Sequence, residues 1–248
     1  MRASLLVVFL LCFCAVLRAE KFTIAAASDL RFALDEVIVE YKRLHPEADI
    51  EVIYGSSGKM TTQIIHGAPY DMFFSADIAF TQQLKTAGFA VTEPEAYALG
   101  RLVLWSASED ASRLTLTDLT DARFKRIAIA QPAHAPYGRR AKEAMQVAGV
   151  WQQVQPKLVF AENIAQAAQM AKSGAADIAV IALSLVKFPD FKIQGYSLIP
   201  EHRHQPLMQS YVITQTGKDK KNVLDFSRFM ASDSAHLIMN KYGFTVPD

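Results

Sequence analysis

From residue 30 onward the first long apolar pattern falls on Leu30, Ala33, Leu34, Val37, Ile38, Tyr41 and Leu44. Those offsets trace one buried stripe along a helix, and Pro46 ends it. A continuous apolar run at 22–27 precedes it and reads as a strand. The same alternation continues along the chain. Strands are predicted at 22–27, 50–54, 72–75, 102–105, 127–130, 157–160, 178–183 and 210–214. Helices are predicted at 30–44, 59–66, 78–87, 138–148, 164–173, 221–230 and 235–242. Strands alternating with helices predict an α/β fold in which mostly parallel sheets are covered on both faces. Ligands then sit beyond the carboxyl ends of the strands. Gly100 precedes a fresh apolar strand, and the late strand at 210–214 is followed by two helices. A segment inserted between those strands would have two chain crossings, the usual basis of hinge closure. The expected division is a first lobe of 20–100 plus 214–248 and a second lobe of 101–213.

The N-terminus stands apart from this pattern. Arg2 gives a positive start, Leu5 to Leu17 is uncharged and mostly apolar, and Ala19 offers a small residue at a cleavage point. Residues 1–19 therefore read as a secretory signal peptide, too short for a permanent membrane span. Cys12 and Cys14 both lie in it, so no disulfide or thiolate site is expected in the mature chain. Removing Arg2 and Arg18 leaves 24 basic against 25 acidic residues, a formal charge of −1. That balance gives no footprint for nucleic acid or an anionic membrane surface.

Candidate chemistry gathers where strands meet helix starts. Ala26-Ala27-Ser28-Asp29-Leu30 and Tyr54-Gly55-Ser56-Ser57-Gly58 each end a strand in small hydroxyl residues. Such an end collects serine hydroxyls and the unpaired N–H groups of a helix's first turn, a natural seat for an anion. Capping alone would account for Ser28 or Asp29. The paired serines between Gly55 and Gly58 exceed what one cap requires, and the spacing is not that of a P-loop. A third turn runs from Ala130 through His134 and Pro136 to Tyr137 and Gly138, with Pro136 stiffening the helix entry. A fourth is Ala161-Glu162-Asn163-Ile164, where Asn163 is a ready cap. Two such turns come from each expected lobe. His134 reads as a loop histidine, and His202 with His204 makes a weak metal pair. Neither a G-x-S-x-G elbow nor an obvious carboxylate pair signals an enzyme.

In their order and spacing these motifs resemble the extracytoplasmic molybdate-binding proteins that feed ABC transporters. The resemblance runs from Phe22 to Lys241-Tyr242-Gly243-Phe244. It includes Ala25-Ala26-Ala27-Ser28, Gly55-Ser56-Ser57-Gly58, Gly67-Ala68-Pro69-Tyr70-Asp71, Phe74-Ser75-Ala76-Asp77, the stretch from Pro132 to Gly138, and Asn163-Ile164. It implies a two-lobed periplasmic-binding-protein fold with molybdate, and tungstate with it, held in the cleft as an oxyanion. Ser28 and Ser57 would donate from the first lobe, the N–H groups of Tyr137 and Ile164 from the second. No cofactor and no directly coordinated metal are implied. The partner would be an ABC permease, and the receptor a monomer in the periplasm. Family members often carry a tyrosine at the end of the strand corresponding to 178–182. This chain has Ala182, which leaves Tyr137, Ser184 or a water to supply the fifth contact. A fully ionised dianion accepts hydrogen bonds only, so a pocket of donors suits it and a nearby carboxylate would repel it. A protonated phosphate would need an acceptor, and Asp29 is the one candidate, although as a helix-start residue it is expected to face the N-terminal N–H groups. The alternatives are a receptor for another tetrahedral oxyanion such as sulfate, or a secreted α/β hydrolase using Ser57 or His134.

Overall fold

The computed structural model describes residues 20–191 and 194–245. The expected signal peptide at 1–19 lies outside the described residues. Among the described residues the strands are β1 (Phe22–Ala27), β2 (Ile50–Gly55), β3 (Met72–Ser75), β4 (Glu95–Gly100), β5 (Leu102–Trp105), β6 (Ile127–Ala130), β7 (Leu158–Ala161), β8 (Ile178–Ala182), β9 (Tyr196–Leu198) and β10 (Leu207–Ile213). The helices are α1 (Arg31–Leu44), α2 (Ser57–Ile65), α3 (Ile78–Thr86), α4 (Pro136–Val147), α5 (Trp151–Val154), α6 (Ile164–Lys172), α7 (Leu183–Val186), α8 (Lys221–Met230) and α9 (Asp233–Lys241).

The strands make two five-stranded sheets, ordered β2-β1-β3-β10-β4 and β7-β6-β8-β5-β9. Each sheet has a parallel part, β2-β1-β3 in one and β7-β6-β8 in the other. To these the strands on either side of the crossings add antiparallel pairings, β10 with β3 and β4, and β5 with β8 and β9. The sheets are therefore mixed, because the chain reverses direction where it passes between lobes.

The second crossing differs from the sequence expectation. Residues 207–213 were expected in the second lobe, yet β10 lies in the first sheet between β3 and β4. The chain returns between β9 and β10, not at residue 213. Burial fits this: β10 is covered along nearly its whole length, as a strand with a neighbour on each side is.

Period-two alternation sends neighbouring residues into opposite faces of the first sheet. Ile24 and Phe74 join Leu34, Val37, Tyr211 and Phe226 on one side. Ala25 and Phe73 join Met60, Ile64, Leu84 and Val212 on the other. In the second sheet β5, β6 and β8 are buried throughout and share one core with α4 and α6. Their uninterrupted apolar sequences follow from being covered on both faces. After the return crossing, α8 and α9 pack back on the first lobe, where Lys241 and the Tyr242 hydroxyl both bond Glu36 of α1. Each lobe thus has a core of its own, the two meeting where Ala27, Ala76 and Leu207 of the first pack on the core of the second, and both carry helix starts toward that boundary.

Candidate functional site

Ser28, Ser57, Tyr137 and Ile164 line one small pocket, together with Asp29, Ser56, Pro136 and the backbone at Ala27, Gly55, Ala76 and Ala135. Its accessible volume is about 10 Å³, on the scale of a single water. Sites for drug-sized organic ligands run to roughly 300–1,000 Å³. This pocket is nearer in scale to a compact ion than to a sugar or an amino acid.

An account of first-turn N–H groups shows what the pocket offers. In α2 the first intrahelical bond is from Met60 N to Ser56 O, and the Gly58 N–H is taken by the His134 carbonyl at 2.9 Å. In α4 the first is from Arg139 N to Ala135 O, and Pro136 occupies the first turn without a donor. In α6 the Gln166 N–H is capped by Asn163 Oδ1 at 2.9 Å, and the Ala165 N–H is taken by Ser28 Oγ at 3.2 Å. Helix geometry gives the remaining first-turn donors, among them Ser57, Tyr137 and Ile164, no intrahelical acceptor. Three helix N-termini thus bring unpaired donors and positive dipole ends to one spot.

The serines differ in their engagement. Ser57 is fully buried and its Oγ accepts the Ala76 N–H at 3.0 Å, which leaves its own proton to donate. Ser28 does not cap its own helix. Its hydroxyl reaches across to the second lobe and donates to Asn163 Oδ1 at 3.1 Å. Asn163 is the ordinary cap that its sequence suggests, and it also anchors Ser28.

Further contacts join the two lobes around the pocket. Ser56 Oγ and His134 Nδ1 are hydrogen bonded at 2.9 Å. Lys59 pairs with Glu162 at 3.3 Å, and Arg140 with Asp77 at 3.0 Å. Phe32 and Phe188 stack with centroids 3.8 Å apart. Gly58 permits this approach, since a Cβ there would sit 2.7 Å from the His134 carbonyl oxygen. Desolvation and the Lys59 charge hold the His134 imidazole below its usual range, which favours the neutral ring. Its partner is Ser56 and not Ser57, and among the described residues no carboxylate hydrogen-bonds the ring.

Asp29 departs from the expectation that it faces helix N–H groups. Its carboxyl turns into the molecule, where Gln209 Nε2 donates to Oδ2 at 2.5 Å. Burial pushes it up to about 6, while hydrogen bonds from Gln209 and the Tyr137 hydroxyl pull it partly back. The Tyr137 hydroxyl is held in the same network, accepting from Gln209 Nε2 at 3.1 Å. Ser184 gives its hydroxyl to the Asp29 carbonyl oxygen at 2.7 Å. Neither of the protein groups considered as substitutes at Ala182 is therefore uncommitted. Gln209 and Tyr97 had no motif to announce them, because they meet Asp29 only through the fold.

Two sheets joined by two crossings, with a small ion pocket built from helix starts of both lobes, define a solute-binding protein. The match to known families agrees: the chain belongs to the bacterial extracellular solute-binding proteins, whose family model covers residues 22–245. Among its relatives is the molybdate-binding protein ModA of Rhodobacter capsulatus, 36% identical over 197 residues, covering 77% of this chain and 75% of that one. ModA of Azotobacter vinelandii is 31% identical over 232 residues, covering 92% and 90% respectively. The solved periplasmic molybdate-binding protein of Azotobacter vinelandii superposes with a TM-score of 0.86 at 30% identity, covering 92% of this chain and all of that one. Among the described residues, no helix is long and apolar enough to cross a membrane.

Proposed function

We propose that this chain is the periplasmic receptor of a molybdate ABC transporter. It captures molybdate, and tungstate with it, between its lobes and presents the closed form to the membrane permease. It binds and releases its ligand unchanged and carries out no catalysis. Residues 1–19 direct export and are removed, and the receptor acts as a monomer.

One observation carries the reading: Ser28, Ser57, Tyr137 and Ile164, two from each lobe, line a single small pocket. An oxyanion dianion accepts hydrogen bonds at every oxygen, so converging donors match it, and helix N-termini supply positive potential without a counter-charge. The molybdate-binding relatives over most of the chain support molybdate as that oxyanion. Calorimetric titration with molybdate, tungstate, sulfate and phosphate tests it. Molybdate and tungstate are expected to bind with similar affinity and sulfate far more weakly. Tight sulfate binding with no response to molybdate overturns the assignment.

A further inference from the structure

The pocket contains one group that a site for dianions should not have. Asp29 is among its lining residues and is 1% exposed; its carboxyl turns inward behind the pocket wall, where Oδ2 is held by Gln209 and Oδ1 makes no hydrogen bond within the protein. The groups facing the carboxyl from neighbouring elements are all neutral at ordinary pH. They are Gln209 from β10, Tyr137 from α4 and Tyr97 from β4, and among the described residues no cation contributes to its environment. Tyr97 donates its hydroxyl to Gln209 Oε1 at 2.7 Å, which turns the Gln209 amide nitrogen toward Asp29 and Tyr137. Gly100 leaves room for this arrangement, because a Cβ there would collide with the Tyr137 hydroxyl.

An unpaired carboxylate in such a place is costly, and a dianion beside it adds like-charge repulsion. Protonation removes both penalties at once. The neutral acid also gains an O–H to donate.

We propose that Asp29 makes oxyanion capture proton-linked: a fully ionised dianion enters this pocket together with one proton from solvent, which rests on the Asp29 carboxyl. The inference builds on the reading of the pocket as an oxyanion site. Its consequence is selectivity set by protonation. At low pH the pocket takes dianions, and as pH rises the carboxylate turns against them. The free carboxyl already titrates at about 6, and a bound dianion moves it further in the same direction.

Titrations with molybdate, tungstate and sulfate between pH 6 and pH 9, in buffers of different ionisation enthalpy, test the proposal. Each dianion that binds should take up about one proton at pH 8, and its Kd should rise about tenfold per pH unit above the free carboxyl's range. Asp29→Asn should abolish both the slope and the proton uptake, and bind at least tenfold more tightly than the wild type at pH 8.5. Binding with a flat Kd and no proton uptake at pH 8 overturns the role of Asp29 while leaving the receptor reading intact. Linkage seen with sulfate but no binding of molybdate overturns the molybdate assignment and leaves Asp29 in place. If none of the three binds at any pH, both fall. Should Asp29→Asn fail to fold, the wild-type buffer series decides the matter alone.

Discussion

At the scale of single residues, Ser57 shows how one hydroxyl serves structure and ligand together. Its oxygen accepts the Ala76 N–H and its proton is left for the pocket. Ser57→Ala should therefore do two separable things. It strands a buried backbone N–H, at a cost of about 1–3 kcal/mol in the stability of the ligand-free protein. It also removes a charge-assisted donor, about 1.5–3 kcal/mol, so that molybdate affinity falls by roughly ten- to a hundredfold. Denaturant unfolding without ligand and calorimetry with it read the two effects. Unchanged affinity would take Ser57 out of the site. Such first-turn serines could be seen in the sequence because a strand end followed by small hydroxyl residues is a local signal. The Asp29, Gln209 and Tyr97 cluster could not, since its members are joined by contacts spanning up to 180 residues and none carries a local motif. Burial and direction of a side chain at a helix start are decided by tertiary packing, which is why Asp29 read as a cap and proved to face inward.

At the scale of elements, the same division between local and distant information holds. The stripe on α1 and the doubly covered strands β5, β6 and β8 were legible because burial leaves its period in the sequence. Strand β4, with the sequence Glu-Ala-Tyr-Ala-Leu-Gly, was not. Its Ala, Leu and Glu are good helix formers, and only pairing with β10 makes it a strand. Strand β9 has three residues, too few to show a period. The start of β10 was missed because Leu207 and Met208 follow a polar loop with no alternation before them. Where elements of different lobes meet, Gly58 is an exacting position because its neighbour is backbone. Its N–H bonds the His134 carbonyl, and an added Cβ would meet that same oxygen at 2.7 Å. Gly58→Ala should weaken molybdate binding at least tenfold by holding α2 away from the His134 loop. In the separated lobes the methyl group has no such neighbour, and alanine is the better helix former by up to about 1 kcal/mol. The melting temperature without ligand should therefore hold or rise. A variant that binds as the wild type does would show that the lobes do not need this contact to close.

At the scale of the whole molecule, affinity depends on how the closed arrangement competes with the open one, because only the closed arrangement brings the pocket residues of both lobes together. The measured affinity is the intrinsic one scaled by the closed fraction. The pair between Arg140 on α4 and Asp77 before α3 bears on that fraction directly. It joins the lobes at 3.0 Å with side chains only 11% and 9% exposed. Asp77 also caps α3 by accepting the Ala79 N–H, so changing it would damage the first lobe as well. Arg140→Met is the cleaner test, since it keeps the length and apolar stem of the side chain. When the lobes part, Asp77 regains water, and the i,i+3 pair of Arg140 with Glu143 on α4 is worth only about 0.2–0.5 kcal/mol, so the loss falls mainly on closure. Removing one member of a buried pair costs up to about 3–5 kcal/mol where the other stays buried. The variant should thus lose at least tenfold in affinity for molybdate while keeping its ligand-free melting temperature. Ligand at a hundred times Kd should add about 2.7 kcal/mol to the wild type, roughly 5–11 °C in a chain of this size. The same concentration should give the variant a visibly smaller shift, and small-angle scattering should show contraction only at higher ligand concentration. Equal shifts in both proteins would mean that the pair decorates the boundary without biasing closure, and that the three helix N-termini and the serines hold the lobes together around the ion.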